Sequence, residues 1–155
     1  MTLFDYLPLT DSVVSERMFV RFKASHQFLV KNTIMQGFHD LKVYQKAYQL
    51  AMQIFDLTKS FPKEERYALT DQLRRSSRSV AANIAEGYRK RQYPKMFLSK
   101  LADADGEVAE TQVWIDFALE CGYLAPEQHS LLMQGYQAVG RMLGSMLAAP
   151  EKFLP

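Results

Sequence analysis

The chain of 155 residues has a single cysteine, Cys121, which cannot form an internal disulfide, and no Cys/His cluster has the spacing of a structural zinc site. A reducing, cytoplasmic setting fits that scarcity. No apolar run approaches the roughly 18 residues of a membrane span, and no basic segment followed by an apolar one opens the chain, so it reads as unsecreted and off the membrane. Charge of one sign is also in short supply. A net charge of +2 and a pI near 8.6 do not by themselves imply a polyanionic partner, so any such signal has to be local. Catalytic groupings are missing too. His26, His39 and His129 are widely separated, with no cysteine or carboxylate spaced to make a triad, and His129 reads as a surface histidine near a helix start. Asp103, Asp105, Glu107 and Glu110 lack the Glu-x-x-His motifs of a di-iron bundle. No enzyme, metal, cofactor or small-molecule substrate is expected.

What the sequence does have is helical periodicity. With 48% hydrophobic residues there is enough apolar matter for one packed domain, and from residue 38 onward the apolar positions recur at helical spacing. A first helix is expected from about Asp40 to Ser60, with Leu41, Tyr44, Ala47, Tyr48, Ala51, Phe55 and Thr58 as its core stripe, stopped by Phe61-Pro62. A second should start near Lys63, with Glu64 and Glu65 in its first turn, and run to about Arg91 around Leu69, Leu73, Val80 and Ile84. Pro94 opens a third, carrying Phe97, Leu101, Ala104, Val108, Ile115 and Leu119 and ending at Gly122 as a left-handed cap. Pro126 opens a fourth, with Leu132, Tyr136, Val139, Leu143 and Met146, closed by Pro150. Joints this short force neighbours side by side, so the expected fold is all-α, an antiparallel up-down-up-down four-helix bundle over residues 36–149 with a tail at 150–155. Gly140 and Gly144 read as a close helix contact. Residues 1–35 lack a sustained period. They read as an arm that is disordered or locally helical, as the product of an upstream start codon, or as a segment that docks on a partner.

The stretch from Gln72 to Lys95 holds Arg74, Arg75, Arg78, Arg89, Lys90, Arg91 and Lys95, opposed only by Glu86. At about 100° per residue, Arg74, Arg78 and Arg89 share a flank of the second helix with Ala81 and Ala85. On the third helix Asp103, Glu107, Glu110 and Trp114 form an acidic flank. Three readings stand side by side. The arginines form a solvated face whose pairs contribute less than about 1 kcal/mol each. They meet the acidic flank of a second copy, head to tail, and close a ring. Or they neutralise nucleic-acid phosphates, with Tyr88 and Tyr93 near enough to stack on bases. Self-association has separate support, since Val113, Trp114, Ile115, Phe117, Ala118 and Leu119 leave the third helix almost no polar face. The small polar run Ser76 to Gly87 lowers helix propensity, so Ser76, Asn83 and Gly87 are expected to border the core, Asn83 fixing register against a neighbour. A ligand contact by Asn83 and Glu86 is the alternative.

Several of these segments together resemble a known family. Phe38-His39-Asp40-Leu41-Lys42-Val43-Tyr44, Gln72-Leu73-Arg74-Arg75, Asn83-Ile84-Ala85-Glu86-Gly87-Tyr88, Gly106-Glu107-Val108-Ala109-Glu110-Thr111 and Cys121-Gly122-Tyr123-Leu124 resemble the four-helix-bundle proteins encoded in 23S rRNA intervening sequences. The resemblance spans about Phe38 to Leu147. It implies a ring-shaped homo-oligomer, a pentamer, and a similar bundle is the accessory variability protein of diversity-generating retroelements, which engages nucleic acid and a reverse transcriptase. It carries over Arg74, Arg75, Asn83, Glu86 and Gly87 but supplies no catalytic residue. Ser76-Ser77 departs from the apolar pair expected there. The function expected is therefore a ring-forming, non-enzymatic protein that binds RNA or another nucleic acid, the alternative being a scaffold for a protein partner.

Overall fold

The computed structural model of the chain describes residues 37–155. The arm expected at 1–35, with His26, lies outside them. Among the described residues the structure is all-α and has four long helices and no strand: α1 (Lys42–Leu57), α2 (Leu69–Arg89), α3 (Pro94–Glu120) and α4 (Pro126–Ala148). Among the described residues no helix is long and apolar enough to cross a membrane.

Local chemistry sets the helix ends. α1 tightens into a 3-10 turn at Thr58–Ser60, where the Thr58 hydroxyl donates to the Ile54 carbonyl at 2.7 Å, and Phe61 is extended as its following proline requires. The expected start of α2 at Lys63 is wrong by two turns. Lys63–Tyr67 is a 3-10 segment, and the backbone breaks at Ala68 before α2 begins. Glu65 explains the break: one carboxylate oxygen accepts the Leu69 backbone N–H, the other accepts the Tyr123 hydroxyl, each at 3.2 Å. The acid expected inside the first turn caps the helix from outside it. α3 stops at Gly122, whose φ of +74° suits a residue without Cβ, and Tyr123 donates back to the Ala118 carbonyl at 2.9 Å. Beyond α4 the tail does not run free; Pro150–Lys152 turns, and Phe153 and Leu154 pack against the core.

The interior is built from Leu73, Val80 and Ile84 of α2, Phe97, Leu101 and Ile115 of α3, and Tyr136, Val139 and Leu143 of α4, all essentially inaccessible to solvent. α1 contributes Val43, Ala47, Leu50, Ala51 and Ile54; of its expected stripe Leu41, Ala47, Ala51 and Thr58 are buried, but Tyr48 is 44% exposed, and Val43, Leu50 and Ile54 lie inside instead. The close helix contact is also elsewhere. Gly140 has only ordinary contacts and Gly144 none, whereas a Cβ on Gly135 of α4 would collide with Leu50 Cδ2. The Tyr136 hydroxyl has Ser77 beside it but no well-formed hydrogen bond, and burial pushes its pKa above the usual phenol range. α2 and α3 share the most extensive packing, and partners pair Gly87 with Lys100, Ser76 with Thr111, and Glu65 with Tyr123.

Candidate nucleic-acid interface

The α2–α3 packing fixes what the basic stretch can do. At its centre, Ser76 and Ser77 are fully buried, and the Ser76 hydroxyl lies 3.0 Å from that of Thr111 on α3. Thr111 also lies 2.7 Å from the Glu107 carbonyl oxygen, so its own proton goes there and Ser76 can supply the proton between the hydroxyls. The departure at Ser76-Ser77 is therefore a buried polar tie between helices. Further along, Gly87 lets α3 come close, since a Cβ there would sit 3.2 Å from Lys100 Cβ. Lys100 then reaches Glu86 at 3.1 Å, Asn83 Oδ1 at 3.3 Å and Asp103 at 3.3 Å. Asn83 holds a neighbouring helix, as expected, through a lysine the sequence reading passed over. The signal was present: Lys100 heads the stripe Asp103, Glu107, Glu110 as its one cation. Hydrogen bonds from Lys90 and then Lys100 hold the Glu86 carboxyl below its ordinary range, and Glu86, followed by Asp103, raises Lys100.

The cations divide into those already engaged and those left over. Arg74 is half-buried; its Nε donates to Thr58 Oγ1 at 2.7 Å and its guanidinium lies 4.9 Å from the Phe55 ring centroid. It clasps the end of α1. Arg78 leans towards the same ring at 5.7 Å. Arg75 bonds Gln72 at 2.6 Å and comes within 3.9 Å of Glu110 of its own chain, so the expected pairing of basic and acidic flanks is partly satisfied internally. Lys90 pairs with Glu86. Arg91 lies 4.1 Å from the Tyr88 ring centroid and donates to the Tyr88 carbonyl at 2.9 Å. Arg89 and Lys95 remain. Both are exposed and neither has a hydrogen bond or ion pair among the described residues.

The two tyrosines part company as well. Tyr88 is 7% exposed and belongs to the core, one helical turn beyond Ile84, so it offers no face for stacking; Tyr93, between the leftover cations in sequence, is 62% exposed. Of the residues expected at a subunit interface, Ala81 is buried in its own core, Ala85 is half-buried, and Asp103 is held by Lys100. Glu110 accepts the Trp114 indole N–H at 3.1 Å, Glu107 is half-buried, and Trp114 packs beside Phe117 with ring centroids 5.8 Å apart. Val113 and Phe117 are 49% and 54% exposed.

His129 is half-buried rather than on the open surface, its Nε2 2.7 Å from Asp116, a contact that ties α4 to α3. Among the described residues no group of three or more His, Cys, Asp or Glu could hold a metal ion. At the corner where α2 passes into α3, the described residues thus leave two exposed cations, Arg89 and Lys95, and the exposed Tyr93 ring between them in sequence.

Among curated proteins none matches this chain. A solved structure of a protein of unknown function from the S23 ribosomal protein family of Bacteroides thetaiotaomicron VPI-5482 is similar to it, with 26% identity and a TM-score of 0.62 over 68% of this chain and 97% of that one. The model of the family described as 23S rRNA-intervening sequence protein matches residues 39–145, and with the motifs at Asn83 to Tyr88 and Gly106 to Thr111 seated in the α2–α3 contact, the chain belongs to that family.

Proposed function

We propose that this chain is an antiparallel up-down-up-down four-helix bundle that assembles with copies of itself into a ring, and that it binds RNA or another nucleic acid in the cytoplasm without catalysing a reaction. The pairings Ser76–Thr111 and Gly87–Lys100 along α2 and α3, and Glu65–Tyr123 just outside their ends, run in opposite senses along the two segments and support the antiparallel part. The observation that carries nucleic-acid binding is the pair of exposed, unengaged cations Arg89 and Lys95, which flank the exposed Tyr93 in sequence where α2 passes into α3. Arg74, Lys90 and Arg91 serve the fold instead. Five copies is the number that the family resemblance implies, and a ring would repeat each corner about its axis.

Two phosphate contacts per subunit on a single strand give a salt slope of about −1.4, so affinity per corner should fall about 7-fold between 50 and 200 mM salt. Replacing Arg89 and Lys95 with glutamine should flatten that slope in a filter-binding assay and leave the melting temperature unchanged. Arg74→Gln should do the reverse, lowering stability with little effect on retention. Wild-type protein that retains no nucleic acid at low salt would defeat the proposal. That result would favour a scaffold for a protein partner, a reading which the exposed Val113 and Phe117 also support.

A further inference from the structure

The corner contains more than charge. Tyr93 has a fixed backbone: its N–H donates to the Lys90 carbonyl at 2.8 Å, and its carbonyl accepts the N–H groups of Met96 and Phe97 at 2.9 and 3.0 Å. Pro94 follows and locks the entry to α3. Yet the ring so positioned engages no other aromatic ring or cation among the described residues and stands open to solvent, with Met96 next to it 47% exposed. The fold thus holds the Tyr93 backbone rigidly while leaving its side chain without a structural task. Arg91 has no such freedom, since it is spent on Tyr88.

We infer that the ligand of this corner is an unpaired single strand, one base of which stacks on Tyr93 while neighbouring phosphates lie against Arg89 and Lys95. This rests on the nucleic-acid reading above and deepens it. Phosphates are available on duplex and single strand alike, so two cations alone do not discriminate between them. Base faces are not alike: in a duplex they are stacked on one another, and only an unpaired base can present its π-face to a protein ring. A corner with few free charges and one fixed, exposed ring therefore gains more from a strand whose bases are free.

The test compares a labelled, unstructured oligonucleotide of roughly a dozen nucleotides, within the site sizes of single-strand binders, with the same sequence closed into a hairpin duplex. Fluorescence anisotropy at low salt would be read for the wild type, Tyr93→Ala and Tyr93→Phe, with helicity checked by circular dichroism. The wild type should prefer the single strand. Tyr93→Ala should weaken that strand by about 5- to 150-fold, the worth of one lost base stack, and leave the duplex unchanged. Tyr93→Phe, which keeps the ring and loses only the hydroxyl, should behave as wild type. Equal binding of both forms, or a Tyr93→Ala variant that loses neither or both to the same extent, overturns the single-strand inference and leaves phosphate binding standing. Failure of the wild type to bind either form overturns both.

Discussion

At the scale of single residues, the buried hydroxyls of Ser76 and Thr111 show how a polar group can specify a helix contact. Both are fully enclosed; Thr111 also reaches the Glu107 carbonyl at 2.7 Å, whereas Ser76 depends on Thr111, since its remaining contact, to the Leu73 carbonyl, is a long 3.4 Å. Removing one partner leaves a desolvated hydroxyl, whereas removing both leaves two apolar surfaces. Thr111→Val should therefore lower the unfolding free energy by about 1–2 kcal/mol, and Ser76→Ala added to Thr111→Val should return to within about 1 kcal/mol of wild type. Urea unfolding of the wild type, Thr111→Val, Ser76→Ala and the double variant decides it. A double variant that simply sums the losses of the two single changes would mean that the hydroxyls act independently. Gly135 works by the opposite device: it makes no bond, but the missing Cβ is the space that Leu50 occupies.

At the scale of elements, α2 and α3 meet through Lys100, which draws together Glu86, Asn83 and Asp103. Glu86 titrates below its ordinary value of 4.5, so the folded state holds its proton more weakly than the unfolded chain does. Its contribution to stability is present above that value and is lost as pH falls through the lowered one. The gap in melting temperature between wild type and Glu86→Gln should therefore be open near neutral pH and close in acid below about 4.5. A gap that persists unchanged in acid would assign the glutamate a role independent of its charge. The same contacts explain what could be read in advance. The stripes of α2 and α4 were legible because each of these helices carries one dominant apolar face, as Leu73, Val80 and Ile84 form on α2, whereas α3 also carries the exposed apolar Val113 and Phe117. α1 carries two adjoining apolar stripes, and the room that Leu50 occupies is left by Gly135, 85 residues beyond it in the chain. The basic stretch was legible as a set of charges. Which of them are free was not, because Thr58 and Phe55 engage Arg74, and Glu110 approaches Arg75, through contacts that only the folded chain creates.

At the scale of the whole molecule, the basic corner and the apolar strip on α3 make separate demands. Val113 and Phe117 lie four residues apart on one helix face, about half exposed, with the Trp114 ring beside Phe117. Charge complementarity between copies is weaker than the sequence suggests, because Arg75 already approaches Glu110, and Lys90 and Lys100 together already offset Glu86 and Asp103 within one chain. Assembly should therefore depend on these apolar side chains and change little with salt. Sedimentation at micromolar concentration should give a mass several times the 17.9 kDa of one chain. Val113→Lys combined with Phe117→Lys should reduce it to one chain, with helicity retained, because exposed positions tolerate substitution within about 0.5 kcal/mol of monomer stability. If the wild type already sediments as a single chain, the ring is excluded. If the oligomer instead dissolves in moderate salt and the double-lysine variant keeps its mass, Arg78, Arg89 and Glu107 hold the copies together, and the cations assigned to nucleic acid belong to the assembly.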